Sequence, residues 1–264
     1  QHYGAGLGEV DFISHTEQAR QTINQWVEDQ TQQRIRELIP EGALNELTRL
    51  VLTNAIYFNG TWQYEFDPES TVSANFRISQ SEQIDVAMMH QIAELRYAEF
   101  PDFRMLELPY SGEDLSFLAL LPERDDGLEE LEQSLSEESL NASIGQLQLQ
   151  EVDVSLPKFE ITSDFGLKDT LASLGMVEAF SDFADFSGIN GRTDLQISDV
   201  VHKAFAVVSE EGTEAAAATG VIVGTTSVPD REAFHADHPF LFLIQDNRTE
   251  SILFLGRVVR PDAF

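Results

Sequence analysis

The stretch that most constrains the fold and function of this chain runs from Glu210 to Asp230. It reads Glu210-Glu-Gly-Thr-Glu-Ala-Ala-Ala-Ala-Thr-Gly-Val-Ile-Val-Gly-Thr-Thr-Ser-Val-Pro-Asp230. One interpretation is a capped alanine helix followed by an ordinary loop. Two features argue against it. The loop would be long for a compact domain, and loops of this kind are usually functional. In addition, the run Val221–Val223 favours a strand.

The alternation of side chains in this stretch suits a strand that enters an existing sheet. Thr213, Ala215, Ala217 and Thr219 recur at every second position and would share one face of a strand. All four are small enough to pack inside without overfilling a core. Gly212 precedes them and supplies the backbone freedom that a hinge needs. The sequence therefore predicts a segment with two states, an exposed loop and an inserted strand.

The composition of the whole chain bounds what kind of protein it can be. With 264 residues and 42% hydrophobic residues it can bury a substantial core, as one large domain or two smaller ones. The absence of cysteine excludes disulfides, thiolate metal sites and a cysteine nucleophile. A net charge of −30 should repel nucleic acid and anionic membranes. This acidity is interpreted either as an adaptation to a saline habitat or as a surface property without a specific role.

The first part of the chain predicts a helix and then a strand. Ser14 and Glu17 have the spacing of a capping box, and Ala19, Ile23, Trp26 and Val27 share one face. We therefore expect a helix from about Ser14 to the mid-thirties, stopped by 40–42. The apolar run 50–58 is too short and too rich in strand-forming residues for a helix, and predicts a strand buried on both faces.

The remainder predicts an α+β fold with more strand than helix. Val152, Val154 and Leu156 alternate with polar residues, which is typical of a half-exposed strand. Leucines at helical spacing predict two short helices, one near 128–135 and one that ends at Gly175. The apolar run 200–208 predicts another strand, and 238–244 is predicted to pair with 251–259 as a hairpin.

Several motifs together make the chain similar to serpins. The segment from Glu210 to Thr219 resembles the hinge of inhibitory serpins almost residue for residue. Further motifs follow in the family's order along the chain: Asn54-Ala-Ile-Tyr-Phe-Asn-Gly-Thr-Trp62, Leu106-Glu-Leu-Pro-Tyr110, Leu156-Pro-Lys-Phe159, Leu174-Gly-Met176 with Ala179-Phe180, Val201-His-Lys-Ala204, His238-Pro-Phe-Leu-Phe242 and Phe254-Leu-Gly-Arg-Val-Val259.

The resemblance implies a fold and a domain organisation. It implies a single serpin domain over 1–264, with a large central mixed β-sheet, two further sheets and surrounding helices, and with the hinge and reactive loop at 210–239. It also implies that a long N-terminal part, with the first helices and any export signal, precedes Gln1. We therefore expect an extracellular or periplasmic protein that was cut short at this end.

The resemblance also assigns roles to individual residues. It places the reactive bond at Thr226–Ser227, or one residue earlier, and a hydrogen-bonded latch between Asn54 and His202. It places Lys158 and Trp62 in the region where the loop enters the sheet, with Lys158 paired to Glu210. The implied hinge comprises Glu210, Glu211, Gly212, Thr213, Glu214, Ala215, Ala216, Ala217, Ala218 and Thr219.

The implied activity is inhibition of serine proteases by a suicide-substrate mechanism. Thr226 is small and uncharged, which favours elastase-like or subtilisin-like proteases over trypsin-like ones. We expect a monomer that is not an enzyme and that has no cofactor, no metal, no nucleic-acid partner and no membrane partner. The alternative is a serpin-fold protein that does not inhibit and serves as a binding or chaperone module.

Other chemical signals carry less weight. His235 and His238 are spaced by three residues at the start of a strand, so a structural role is favoured over a metal site. Asp164-Phe-Gly166 lacks the other motifs of a kinase, and no Gly-x-Ser-x-Gly motif supports a hydrolase.

Overall fold

A computed structural model describes residues 6–213 and 231–261. Among them it contains five α-helices, two 3₁₀ turns and thirteen strands. The helices are α1 (Thr16–Gln30), α2 (Leu128–Ser134), α3 (Glu137–Ile144), α4 (Lys168–Ser173) and α5 (Ser187–Asn190); the 3₁₀ turns are Pro68–Ser70 and Glu178–Phe180. The strands are β1 (Leu50–Tyr57), β2 (Gly60–Thr61), β3 (Val72–Ser79), β4 (Glu82–Glu99), β5 (Phe103–Pro109), β6 (Leu115–Pro122), β7 (Gln148–Pro157), β8 (Phe159–Gly166), β9 (Ile197–Val208), β10 (Gly212–Thr213), β11 (Glu232–His235), β12 (Phe240–Asp246) and β13 (Ser251–Val258).

These elements fall into two compact units. The first unit comprises Gln1–Tyr57 and Ile161–Phe205, and the second comprises Phe58–Glu160 and Ala206–Phe264. In the first unit, β1, β9 and β8 form a three-stranded sheet in that order, and β1 runs parallel to β9. The fold class predicted from the sequence, α+β with more strand than helix, is confirmed.

The second unit is built on an eight-stranded sheet. Its order is β11-β7-β4-β5-β6-β12-β13, and β3 pairs with β4 beside this path. One face packs on α2 and α3 through a core of leucines and one methionine: Met105, Leu118, Leu120, Leu131, Leu140, Leu147, Leu241 and Leu243. The predicted half-exposed strand at 152–156, the helix near 128–135 and the hairpin of β12 with β13 are all confirmed.

The prediction for the first helix is wrong at both ends. His15, not Ser14, is the N-cap residue, and no side chain caps this end. Asp11 instead accepts the backbone N–H groups of Ile13 and Ser14 at 3.0 and 2.9 Å, which shapes the turn before the helix. The helix ends at Gln30, well before the mid-thirties.

Two further predictions from the sequence are wrong. Trp26 does not share the buried face of α1, because that face carries Ala19, Arg20, Asn24 and Val27, and Trp26 is 52% exposed. The strand β1 exists as predicted, but its residues are half-buried or exposed. The reason is positional, since β1 is an edge strand of the three-stranded sheet among the described residues. None of the described helices is long and apolar enough to cross a membrane.

Candidate functional site

The described part of the hinge runs from Glu210 to Thr213. The other predicted hinge residues, Glu214 to Thr219, lie outside the described residues, and so does the predicted reactive bond at Thr226–Ser227. The structure therefore shows how the start of the arm is held. The arm here denotes residues 213–223.

A tight turn connects the end of β9 to the arm. The N–H of Ser209 donates to the carbonyl of Gly212 at 2.8 Å, and the N–H of Gly212 donates back to Ser209 at 3.2 Å. After this turn, Gly212 and Thr213 form β10, which pairs antiparallel with Thr61 and Gly60 of β2. The arm thus leaves the turn already paired to a neighbouring strand.

Gly212 is the residue on which this turn depends. Its φ of +141° is a conformation that residues with side chains rarely adopt. A Cβ atom here would lie 2.2 Å from the carbonyl oxygen of Gly60 and 2.9 Å from the nitrogen of Trp62. Both the backbone conformation and the space around it therefore require glycine.

Thr213 is fully buried beneath the turn. Its hydroxyl lies 2.7 Å from the hydroxyl of Tyr110, which is itself buried. Burial raises the pKa of Tyr110 well above its usual value, and the hydrogen bond to Thr213 opposes this only in part. Tyr110 therefore stays protonated, and its hydroxyl can both donate and accept.

The Trp62 side chain packs on Tyr110 and also hydrogen-bonds to the turn. Its ring stacks on Tyr110 with centroids 4.7 Å apart and meets Phe117 edge-on at 5.7 Å. Its indole Nε1 donates to the carbonyl of Ser209 at 2.9 Å, and its backbone N–H donates to Glu211 at 3.0 Å. The residue that the sequence placed near the loop entry thus contacts the hinge directly.

Lys158 and Glu210 form an ion pair beside the turn. The Lys158 Nζ atom lies 2.8 Å from Glu210 Oε2, and the Thr71 hydroxyl donates to Glu210 Oε1 at 2.9 Å. Burial alone would raise the pKa of Glu210, but the hydrogen bonds from Lys158 and Thr71 outweigh it and lower this pKa. Glu210 is therefore held as a carboxylate, and its backbone carbonyl also accepts the N–H of Phe66 at 2.9 Å.

The predicted latch residues face each other on β1 and β9. Asn54 pairs with His202 in the parallel register of the two strands, and His202 Nδ1 lies 3.0 Å from Asn54 Oδ1. The ring of Phe165 stacks on His202 with centroids 6.2 Å apart. The contact lies in an accessible part of the sheet, so it can break without uncovering a buried charge.

Tyr110 and Thr71 belong to this site, although neither residue was predicted from the sequence to have a role in it. Tyr110 lies in the motif 106–110 that contributed to the resemblance, and no spacing rule connects it to Thr213, 103 residues away. Thr71 directly follows the 3₁₀ turn Pro68–Ser70, and no motif around it in the sequence indicates a role. Tertiary contacts bring both near the hinge, namely the bridge between Trp62 and Tyr110 and the hydrogen bond from Thr71 to Glu210.

The two histidines weighed as a metal site have separate environments. His235 Nε2 lies 3.3 Å from Asp153 Oδ1, which also lies 2.9 Å from His90 Nε2. His238 instead has Nε2 2.8 Å from the carbonyl of Pro122 and Nδ1 2.8 Å from Asp237. Within residues 6–213 and 231–261, no group of three or more His, Asp or Glu side chains is arranged to hold a metal ion.

Comparison with known proteins places the chain in a family. Residues 1–261 match the family described as "Serpin (serine protease inhibitor)". The human leukocyte elastase inhibitor is 46% identical over 268 residues, covering 98% of this chain and 71% of that protein. Human Serpin B3 is 44% identical over 264 residues, covering 98% of this chain and 68% of that protein.

A solved structure gives the same result for the fold. The crystal structure of uncleaved ovalbumin matches with a TM-score of 0.88 and 35% identity, covering 98% of this chain and 67% of that one. The resemblance predicted from the hinge and the dispersed motifs is therefore confirmed. The chain belongs to the serpin family.

Proposed function

We propose that this protein inhibits serine proteases as a suicide substrate, by inserting its cleaved arm between β1 and β9. A protease attacks the carbonyl of Thr226 and forms an acyl-enzyme. Cleavage releases the far end of the arm while the near end stays attached at Gly212. The arm then adds as a new strand, and the protease is carried with it.

The pairing of β10 with β2 is the observation that carries this proposal. Thr213 faces Gly60 in an antiparallel register. If the same register continues into the inserted arm, Thr219, six residues after Thr213, would face Asn54, which lies six residues before Gly60. Val223, ten residues after Thr213, would face Leu50, where β1 begins. The arm is therefore long enough to pair along the whole of β1.

An independent count from the other side gives the same register. Ser209 faces Gly212 across the turn. Continued in the same register, Thr219, seven residues after Gly212, would face His202, which lies seven residues before Ser209. Asn54 and His202 already face each other in the closed sheet. The arm can therefore enter between β1 and β9 without any shift of one strand along the other.

The buried state of Thr213 supports the assignment of the inward face. Because side chains alternate along a strand, Ala215, Ala217 and Thr219 of an inserted arm would share the face that Thr213 already buries. All three are small residues. The Asn54–His202 hydrogen bond lies on the path of the arm and must open first, which fits a latch.

The chemistry of trapping requires only a modest distortion of the protease. Loss of a single oxyanion-hole donor slows acyl-transfer chemistry by about 10²–10³-fold. About ten residues of extended strand span roughly 34 Å, so insertion moves the attached protease far from its starting position. Hydrolysis of the acyl-enzyme is then slow in the distorted protease, and the ester persists.

The target that we propose is an elastase-like serine protease. Thr226 is small and uncharged, and a relative with 46% identity is named leukocyte elastase inhibitor. A subtilisin-like protease remains a second prediction from the same residue. The reactive bond itself stays a prediction from the sequence, at Thr226–Ser227 or one residue earlier.

A direct test is to incubate the intact protein with elastase, subtilisin, trypsin and chymotrypsin. We expect a covalent complex with elastase that survives SDS, and a large rise in thermal resistance after the arm is cut. A matched control is Thr213→Arg, which places a long charged side chain in a fully buried position. This variant should be cleaved as a substrate without forming the complex. Cleavage of the wild-type protein without a complex would instead favour the non-inhibitory alternative.

A further inference from the structure

The hydroxyl pair of Tyr110 and Thr213 stands out because both side chains are buried and come from distant parts of the chain. The two oxygens are 2.7 Å apart, and Tyr110 and Thr213 are 2% and 0% exposed. A buried hydroxyl without a partner is costly, so each of these groups stabilises the position of the other.

The position of this pair gives it a particular importance. Thr213 is the first residue of the arm and already faces Gly60 in the register that the proposed insertion would keep. In the proposed reaction the rest of the arm moves, whereas Thr213 keeps this partner. Whatever holds Thr213 therefore fixes the register of every later pair along β1 and β9.

The sequence of the arm makes Tyr110 selective for one register. A strand that slips while keeping the same face inward must move by two residues. A slip in one direction would bring Ala215 under Tyr110, and alanine offers no hydrogen-bond partner. A slip in the other direction would bring Glu211 there, and would bury a carboxylate among aromatic rings. Among these three residues, only Thr213 supplies a small side chain with a hydroxyl.

We propose that Tyr110 is a positioning residue of the inhibitory reaction, whose hydroxyl pins Thr213 and so sets the register in which the arm inserts. This inference rests on the proposed function. Stacking on Trp62 and the contact with Phe58 at 4.9 Å fix the Tyr110 ring, so the hydroxyl points at one place. A hinge that starts in register inserts before the acyl-enzyme hydrolyses, and an unpinned hinge starts late.

The test is a double-mutant cycle with Tyr110→Phe, Thr213→Val and the double variant. Each single variant leaves one buried hydroxyl without its partner, whereas the double variant removes both. In the free protein, amide exchange of residues 209–213 should rise on the order of tenfold in each single variant and return to within about threefold of wild type in the double variant. The number of inhibitor molecules consumed per trapped elastase should rise in both single variants and stay raised in the double variant, because that variant also lacks the hydrogen bond that sets the register.

Tyr97→Phe is the matched control. Tyr97 is 1% exposed and donates its hydroxyl to Glu99 at 2.7 Å in β4. This variant should lower the thermal midpoint but leave amide exchange at 209–213 and the consumption of inhibitor unchanged. A merely structural role of Tyr110 would give the same pattern as this control.

The outcomes separate the two proposals. If the wild-type protein traps elastase, two results would overturn the proposed role of Tyr110 alone. One is amide exchange at 209–213 in the single variants that equals that of wild type. The other is a double variant whose loss of hinge stability equals the sum of the two single losses. A wild-type protein that is cleaved without forming any covalent complex would overturn the proposed function and the pin together.

Discussion

Replacement of Gly212 by alanine is the perturbation whose consequence the structure defines most sharply. The added Cβ would lie 2.2 Å from the Gly60 carbonyl oxygen, whereas real Cβ atoms essentially never approach another atom within 3.0 Å. The colliding atom belongs to the backbone of β2, so a side-chain rotation cannot relieve the contact. We expect β10 to separate from β2, with the hinge leaving its position as a result.

The magnitude can be bounded from two alternatives. If the hinge kept its conformation, the positive φ alone would cost about 1–3 kcal/mol for a residue other than glycine. Separation of β10 relieves that strain but removes the hydrogen bond from the Trp62 N–H to Glu211 and the pairing with β2, each worth about 0.5–1.5 kcal/mol net. In either case the cost is roughly 1–3 kcal/mol, concentrated in the hinge, and acts before the arm inserts.

Two measurements check this expectation, and a second glycine provides the control. Amide exchange at 209–213 should become fast in Gly212→Ala, and elastase should cleave this variant as a substrate without forming a stable complex. Gly112 has a φ of +93° but no atom within 4 Å of an added Cβ. Gly112→Ala therefore carries the strain without the collision and should still inhibit. If Gly212→Ala kept a protected hinge and formed the complex, the steric reasoning would be refuted.

Four further predictions concern the rest of the site and the surface. Because the pKa of Glu210 is lowered in the folded protein, its contribution to stability is present above the unfolded-state pKa and is lost as the pH falls through the folded value. Lys158→Met should therefore lower the thermal midpoint at pH 7, and the difference from wild type should shrink in melts recorded at successively lower pH below the ordinary glutamate pKa of 4.5. Asn54→Ala removes the hydrogen bond to His202 at an accessible position, so it should cost about 1 kcal/mol or less and speed arm insertion, measured as the rate at which cut protein gains thermal resistance; an unchanged rate would remove the latch role. Thr226→Arg should redirect covalent trapping from elastase to trypsin, and an unchanged target spectrum would mean that the bond is misplaced. If the net charge of −30 reflects a saline habitat, molar potassium chloride should raise the thermal midpoint by screening repulsion, and a flat response would contradict that interpretation.

The sequence by itself determined the family, the fold class and the ordering of small residues in the arm. These features are local or periodic: the alternation that begins at Thr213, the glycine before it and the motifs spread along the chain. The same local rules misplaced the start and end of α1. There Asp11, rather than Ser14, shapes the preceding turn, and Trp26 lies on the exposed side.

Only the tertiary structure decided how the start of the hinge is held. The contact of Tyr110 with Thr213 joins residues far apart in the chain, and no sequence spacing encodes it. The register that would place Thr219 of the proposed inserted arm opposite Asn54 and His202 rests on the pairing of two short strands, β2 and β10, which are too brief to show a periodic pattern. Backbone pairing between distant segments fixes such relations, because hydrogen bonds across strands specify which residues face each other whatever their side chains are.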